Sequence, residues 1–99
     1  MASYYNITSN LTQELVSAGD EKLTSSITLT NVQGTYECNV DLYIKKSLKG
    51  TFYILKDVTL PIGATLTHDF TFNNSASQYG LFIKATPVSG TAAVDVILK

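Results

Sequence analysis

Few residues of this chain are able to do chemistry. They are His68 with Asp69 beside it in "THDF", the single thiol Cys38, and the carboxylates Glu37 and Asp41 four positions apart. An imidazole next to an acid invites comparison with a hydrolytic triad, in which a carboxylate orients the histidine that activates a nucleophile. The flanking pattern argues against it. Leu66, His68, Phe70 and Phe72 alternate with Thr65, Thr67, Asp69 and Thr71, which is the period of a strand, and neighbours on a strand point to opposite faces. His68 is therefore expected in an apolar row, as a partly buried structural histidine or an exposed edge residue, with Asp69 on the other side.

The remaining candidates fare no better. Cys38 lies on the apolar parity of "YECNVDLYIKK", where an inert buried thiol is expected, and its only available base is His68. One histidine and one cysteine without paired spacing do not make a zinc site, which needs three or four clustered ligands. Glu37 and Asp41 share a strand face but stand about 13 Å apart along it, beyond either glycosidase spacing. Neither a glycine-rich phosphate loop nor a calcium loop occurs. The expectation is a non-enzyme with no catalytic residue, metal ligand or cofactor.

The elements that carry these residues alternate throughout. Leu23, Ile27 and Leu29 fall on one parity and Thr24, Ser26, Thr28 and Thr30 on the other. Tyr36, Cys38, Val40, Leu42 and Ile44 face away from Glu37, Asn39, Asp41, Tyr43 and Lys45. In "TFYILKDVTL" the inward set is read as Phe52, Ile54, Val58 and Leu60. With "ATLTHDFTF", "GLFIKAT", "AAVDVILK" and a weaker first segment, "YYNITSNLTQELV", the count is about seven strands separated by turn signals. That pattern predicts an all-β antiparallel sandwich, Ig-like or jelly-roll-like. No stretch supports a helix of ordinary length, although "SASQYG" has room for a single turn. The reading is one domain over 1–99, with 1–15 a weaker first strand or arm.

Strand order also sorts the connections. If the strands run antiparallel along the whole slab, "NVQGT", "LPIGA" and "PVSGT" share one end, each short and each with a glycine for a tight turn. "VSAGDEK", "KKSLKGT" and "NNSASQYG" share the other end, which is more polar and charged and so the expected place for variable function.

Composition narrows the partners. A net charge of −1 with 44% hydrophobic residues describes a folded globular chain. All seven basic residues are lysine, so the guanidinium fork that reads guanine is missing and nucleic acid is not an expected partner. The lone cysteine cannot close an intrachain bridge, the start shows no signal-peptide pattern, and apolar runs such as "FYIL" are too short to span a bilayer. Synthesis in a cytoplasm and no membrane partner are expected. Sequons at Asn6, Asn10 and Asn73 are read as chance in a chain rich in Asn, Ser and Thr.

One surface feature needs an occupant. Tyr53, Leu55, Phe82 and Ile97 sit on the parity opposite the expected core, and Tyr4, Tyr5 and Tyr43 are expected at the surface too. A strand buried on both faces would give this pattern, and so would an outer face that meets another protein; aromatics are enriched at protein interfaces, so these seven residues form the candidate interface, with self-association its economical form.

The order of elements from about Lys22 to Lys99 resembles the small β-sandwich virion proteins of tailed bacteriophages. The matching skeleton is an apolar strand closed by asparagine (Ile27, Leu29, Asn31), then "NVDLYI", "VTLPIGATL" with its Pro61 and Gly63 turn, "LFIKA", and a closing "AAVDVILK". Before the first strong strand the chain departs from that pattern, with "SAGDEK" where a Pro-Gly-Lys turn is common. The resemblance implies a non-enzymatic virion part, made in the host cytoplasm and added in many copies. A capsid decoration or cement protein binding the major capsid protein is the preferred form. A tail, neck or fibre component and a stand-alone carbohydrate or cell-surface binding module are the alternatives.

Overall fold

The computed structural model describes residues 3–19, 23–46, 50–73 and 79–99. Eight strands follow one another: β1 (Ser3–Ile7), β2 (Gln13–Val16), β3 (Leu23–Asn31), β4 (Cys38–Lys46), β5 (Gly50–Leu60), β6 (Thr65–Asn73), β7 (Gly80–Pro87) and β8 (Val94–Leu98). They form two antiparallel sheets of four, in the orders β1-β8-β3-β6 and β2-β7-β4-β5. Every connection but the β4–β5 hairpin crosses from one sheet to the other. That is the double Greek key of a jelly roll and not the hairpin-rich Ig arrangement. The first segment, expected as one weak strand, splits into β1 and β2, one on each sheet, which raises seven strands to eight.

The core is the set of side chains pointing into the slab. Ile27, Leu29, Val40, Leu42, Leu81, Ile83 and Leu98 are fully buried. Their alternation with polar neighbours is what makes the slab two-layered. Two bulges break the simple parity. In β3, the N–H groups of Ser25 and Ser26 both donate to the Lys99 carbonyl, at 2.6 and 3.1 Å. This extra residue turns Leu23 outward and buries Thr24, reversing the expectation for both. The Thr24 hydroxyl has no hydrogen-bond partner among the described residues.

In β5 the register against β4 slips twice between Val40 and Tyr43. At one slip Asp57 takes a φ of +50°, the only positive φ outside glycine among the described residues. Its N–H donates to the Asp41 carboxylate at 2.8 Å, which holds the strained residue in place. As a result Leu55 points into the core, where it is 9% exposed, while Phe52 at the strand's start is 51% exposed. Both invert the reading made from uniform alternation.

Asn31 knits one end together. Fully buried, it donates from Nδ2 to the carbonyls of Tyr36 (3.2 Å) and Leu60 (3.0 Å) and accepts the Gln33 N–H on Oδ1 (3.0 Å). Its backbone also meets Ala64 and Gly63. In the turn beyond Leu60, Ala64 N–H donates to the Pro61 carbonyl at 3.0 Å, and Gly63 takes the left-handed φ of +74° that a side chain would strain. Val32 donates to Ala93 and Val88 to Glu37, so the three glycine-bearing connections do share one end, as strand order required.

Candidate interaction surface

The residues named for chemistry are dispersed by the fold. His68 is half-buried on the inner row of β6, its ring 5.9 Å from that of Phe70 and nearly parallel to it. Asp69 is exposed on the outer row. Cys38 is buried, and desolvation pushes its thiol pKa up, a hydrogen bond with the Thr86 backbone acting the other way. A thiol held protonated is a poor nucleophile. Asp41 is occupied by the Asp57 N–H and by Lys56 at 3.7 Å, and Glu37 precedes β4 on a loop. Among the described residues no group of three His, Cys, Asp or Glu is placed to hold a metal ion. The sequon residues Asn6 and Asn10 serve as internal pins: Asn6 donates to Asp95 at 2.8 Å, and Asn10 bonds to Gly90 and Ala92.

The seven candidate interface residues divide into four groups. Leu55 belongs to the core. Tyr5 packs on the core from the sandwich margin, where its hydroxyl donates to the Leu15 carbonyl at 2.6 Å and links β1 to β2. Tyr4, 72% exposed, pairs with Ile97 on the outer face of the β1-β8-β3-β6 sheet. Tyr43, Tyr53 and Phe82 come together on the outer face of the other sheet.

This last group is made by register. Tyr43 lies directly opposite Tyr53 on β5 and Phe82 on β7, so three strands place three rings side by side. Ring centroids are 5.2 Å apart for Tyr43–Tyr53 and 5.6 Å for Tyr43–Phe82, within the range of favourable aromatic pairs. Lys56 caps the strip, with its ammonium 4.7 Å from the Tyr53 ring centre. At the other side Gly80 makes room: a Cβ there would stand 2.8 Å from the Phe82 ring. Glu14, Asp41, Lys45 and Lys84 surround the rings. An aromatic centre with a charged rim is the anatomy of a protein interface.

A second surface escaped the sequence reading. Leu11, Val32, Tyr36, Ile62 and Val88 are all exposed, and all lie on the connections gathered at the Asn31 end. Tyr36, Ile62 and Val88 line, with Thr35, Glu37 and Pro61, an open cleft of about 590 Å³. Function was expected at the opposite, charged end, but much of that end, including most of "KKSLK" and the helical turn allowed in "SASQYG", lies outside the described residues. The available signal was that an apolar residue sits in each of "NLT", "NVQGT", "LPIGA" and "PVSGT".

Neither a family model nor a curated protein matches this sequence. Solved structures do match in shape. PirA aligns with 97% of this chain and 90% of its own at a TM-score of 0.59 and 11% identity. The Yersinia pseudotuberculosis-derived mitogen aligns over 99% and 81%, at 0.53 and 11%. A chain of the infectious bursal disease virus particle aligns over 98% of this chain, with a TM-score of 0.50 and 13% identity. This chain spans about a third of that one, 31% of its length. At such identities the likeness is one of fold: the sandwich is shared with a viral particle protein and equally with two proteins that are nearly this chain's whole size.

Proposed function

We propose that this protein is a non-enzymatic structural component of a virus particle, most specifically a capsid decoration protein that adheres to the assembled shell. The observation that carries the reading is the Tyr43–Tyr53–Phe82 strip, an aromatic patch with a charged rim on the outer face of its sheet, where Tyr53 is half-exposed. Adhesion of this kind needs shape complementarity and a few aromatic anchors, and the paired strands beneath set the three rings side by side. The fold shared with a viral particle protein supports the reading, as does the dispersal of the reactive groups. On this view the chain is made in the host cytoplasm and joins the virion in many copies, bridging neighbouring shell subunits. A tail, neck or fibre position uses the same surface.

The carbohydrate-module alternative is weaker on one geometric point. Sugar stacking needs an open ring face, but Tyr43 is flanked by rings on both sides and Lys56 lies over Tyr53. The test is co-sedimentation of the purified chain with assembled shells, using wild type and Tyr43→Ala. Saturable association weakened by the substitution supports the proposal. Binding to a glycan array with none to shells would reject it.

A further inference from the structure

The two sheets have four edge strands, and three of them are protected. An edge presents unpaired N–H and C=O groups that template association unless the strand is short, bulged, charged or covered. β1 and β2 are five and four residues long. They also share a margin closed by the Tyr5–Leu15 hydrogen bond. β5 is long but carries two register slips, the positive-φ Asp57 and the exposed Lys56. β6 has the weakest defences among the described residues, a register shift against β3 between Asp69 and Phe72 and the single exposed charge of Asp69. It spans nine residues without lysine or proline and pairs regularly with β3 from Thr65 to Asp69.

The phase of the ladder says which groups are free. Asn31 N–H donates to the Ala64 carbonyl, and hydrogen-bonded pairs recur every second residue. Leu66 and His68, opposite Leu29 and Ile27, therefore direct their backbone groups toward β3. Thr65, Thr67 and Asp69 direct theirs outward. Beside them the margin between β5 and β6 is unfinished. Leu66, His68 and Phe70 on one strand and Ile54 and Val58 on the other are only half-buried, and beyond the Pro61–Ala64 turn no hydrogen bond among the described residues joins the two strands.

We infer that β6 is a self-association edge, pairing antiparallel with β6 of a second copy about a two-fold axis at Thr67. The occupant follows from what β6 already accepts. Its existing partner, β3, meets it threonine to threonine, with Thr30–Thr65 hydroxyls 2.9 Å apart and Thr28–Thr67 hydroxyls 3.4 Å apart, and a second β6 offers the same Thr-x-Thr row. Charge agrees with this register. Thr67 faces the partner subunit's Thr67, Asp69 faces the partner subunit's Thr65, and the two Asp69 carboxylates remain about 13 Å apart along the strand. Leu66 meets the partner subunit's His68, which completes the half-buried row. Three outward-facing residues on each copy supply the inter-subunit ladder, and the four-stranded sheet becomes one of eight.

The experiment is sedimentation equilibrium of the purified full chain, with circular dichroism as a check on folding. Wild type is expected at twice the 10.7 kDa chain mass in the micromolar range. Thr67→Pro removes an outward N–H while leaving the Leu66 and His68 bonds to β3, and proline is tolerated on an edge. Thr67→Lys keeps the N–H but sets two ammonium groups against each other at the axis. Each substitution should weaken the dimer at least tenfold, and amide exchange in wild type should be slowed at Thr65, Thr67 and Asp69 on dilution-sensitive terms. A monomeric wild type at 100 µM, a trimeric mass, or a dimer untouched by Thr67→Lys would overturn the inference.

Discussion

On the outer side of β3 and β6, cross-strand neighbours are threonine facing threonine, with Thr28–Thr67 and Thr30–Thr65 in hydroxyl contact. On the outer side of β7, β4 and β5, the equivalent neighbours are Phe82, Tyr43 and Tyr53. Both faces come from one rule, in which every second side chain leaves the slab. They differ in what water gains by being removed. A threonine row is well solvated and loses little when exposed, whereas in the ring cluster Tyr53 is half-exposed and Tyr43 and Phe82 are partly so, which leaves apolar area in contact with solvent. The comparison teaches that the same backbone rule gives one face whose polar side chains satisfy one another and another whose rings pack on one another with Tyr53 left half-exposed.

The largest effect should come from the residue that supports both faces. Asn31→Ala leaves the Leu60 and Tyr36 carbonyls and the Gln33 N–H without their partner, and should cost about 2–4 kcal/mol in urea unfolding. If the loss is under about 1 kcal/mol, the two sheets are held together at this end by something other than Asn31. Next is the contrast itself. Tyr43→Ala should weaken shell association by about 10- to 100-fold, as an interface anchor does, while Thr28→Ala should leave it within about twofold. Equal effects from the two would erase the distinction between the faces.

A subtler probe leaves every aromatic residue in the chain. Gly80→Ala forces the Phe82 ring away from Tyr43, because the new methyl would sit 2.8 Å from it. A destabilisation of about 1–2 kcal/mol is expected, with a changed near-ultraviolet tyrosine signal. Unaltered spectra would mean that the strip does not depend on this clearance. The smallest effect lies beneath both faces, at Cys38. Its pKa is raised by burial, so its stabilising contribution is fully present below the ordinary thiol pKa, about 8.5, and is lost as pH rises through the folded value. The stability difference between wild type and Cys38→Ala should therefore shrink as pH rises above that point, and a constant difference would place the thiol in a less apolar setting than its burial indicates.

Much of this was legible beforehand, and the misses have a common cause. Uniform alternation placed Ile27, Leu29, Val40, Leu42 and Leu60 in the core and set His68 and Asp69 on opposite sides. It failed at Leu23, Thr24, Phe52 and Leu55, which flank bulges. A bulge is a relation between two strands: one strand's spelling does not show where its partner will slip. The candidate interface suffered likewise. Tyr53 and Phe82 were picked by parity and Tyr43 by expected exposure, but neither carried information on which of the seven residues would be neighbours. The apolar loop cleft was missed because the four segments that bring its residues to one end lie far apart in the chain.

What the amino-acid order determined by itself is the two-faced character of the strands and the sorting of the glycine turns to one end, since both depend only on local backbone geometry. Tertiary structure alone decided the jelly-roll pairing, the side to which Leu55 turns, the joining of three rings into a strip and the place of β6 at a sheet edge. These outcomes depend on hydrogen bonds between strands distant in sequence, and such a bond acts on a side chain's surroundings only once both strands are in place.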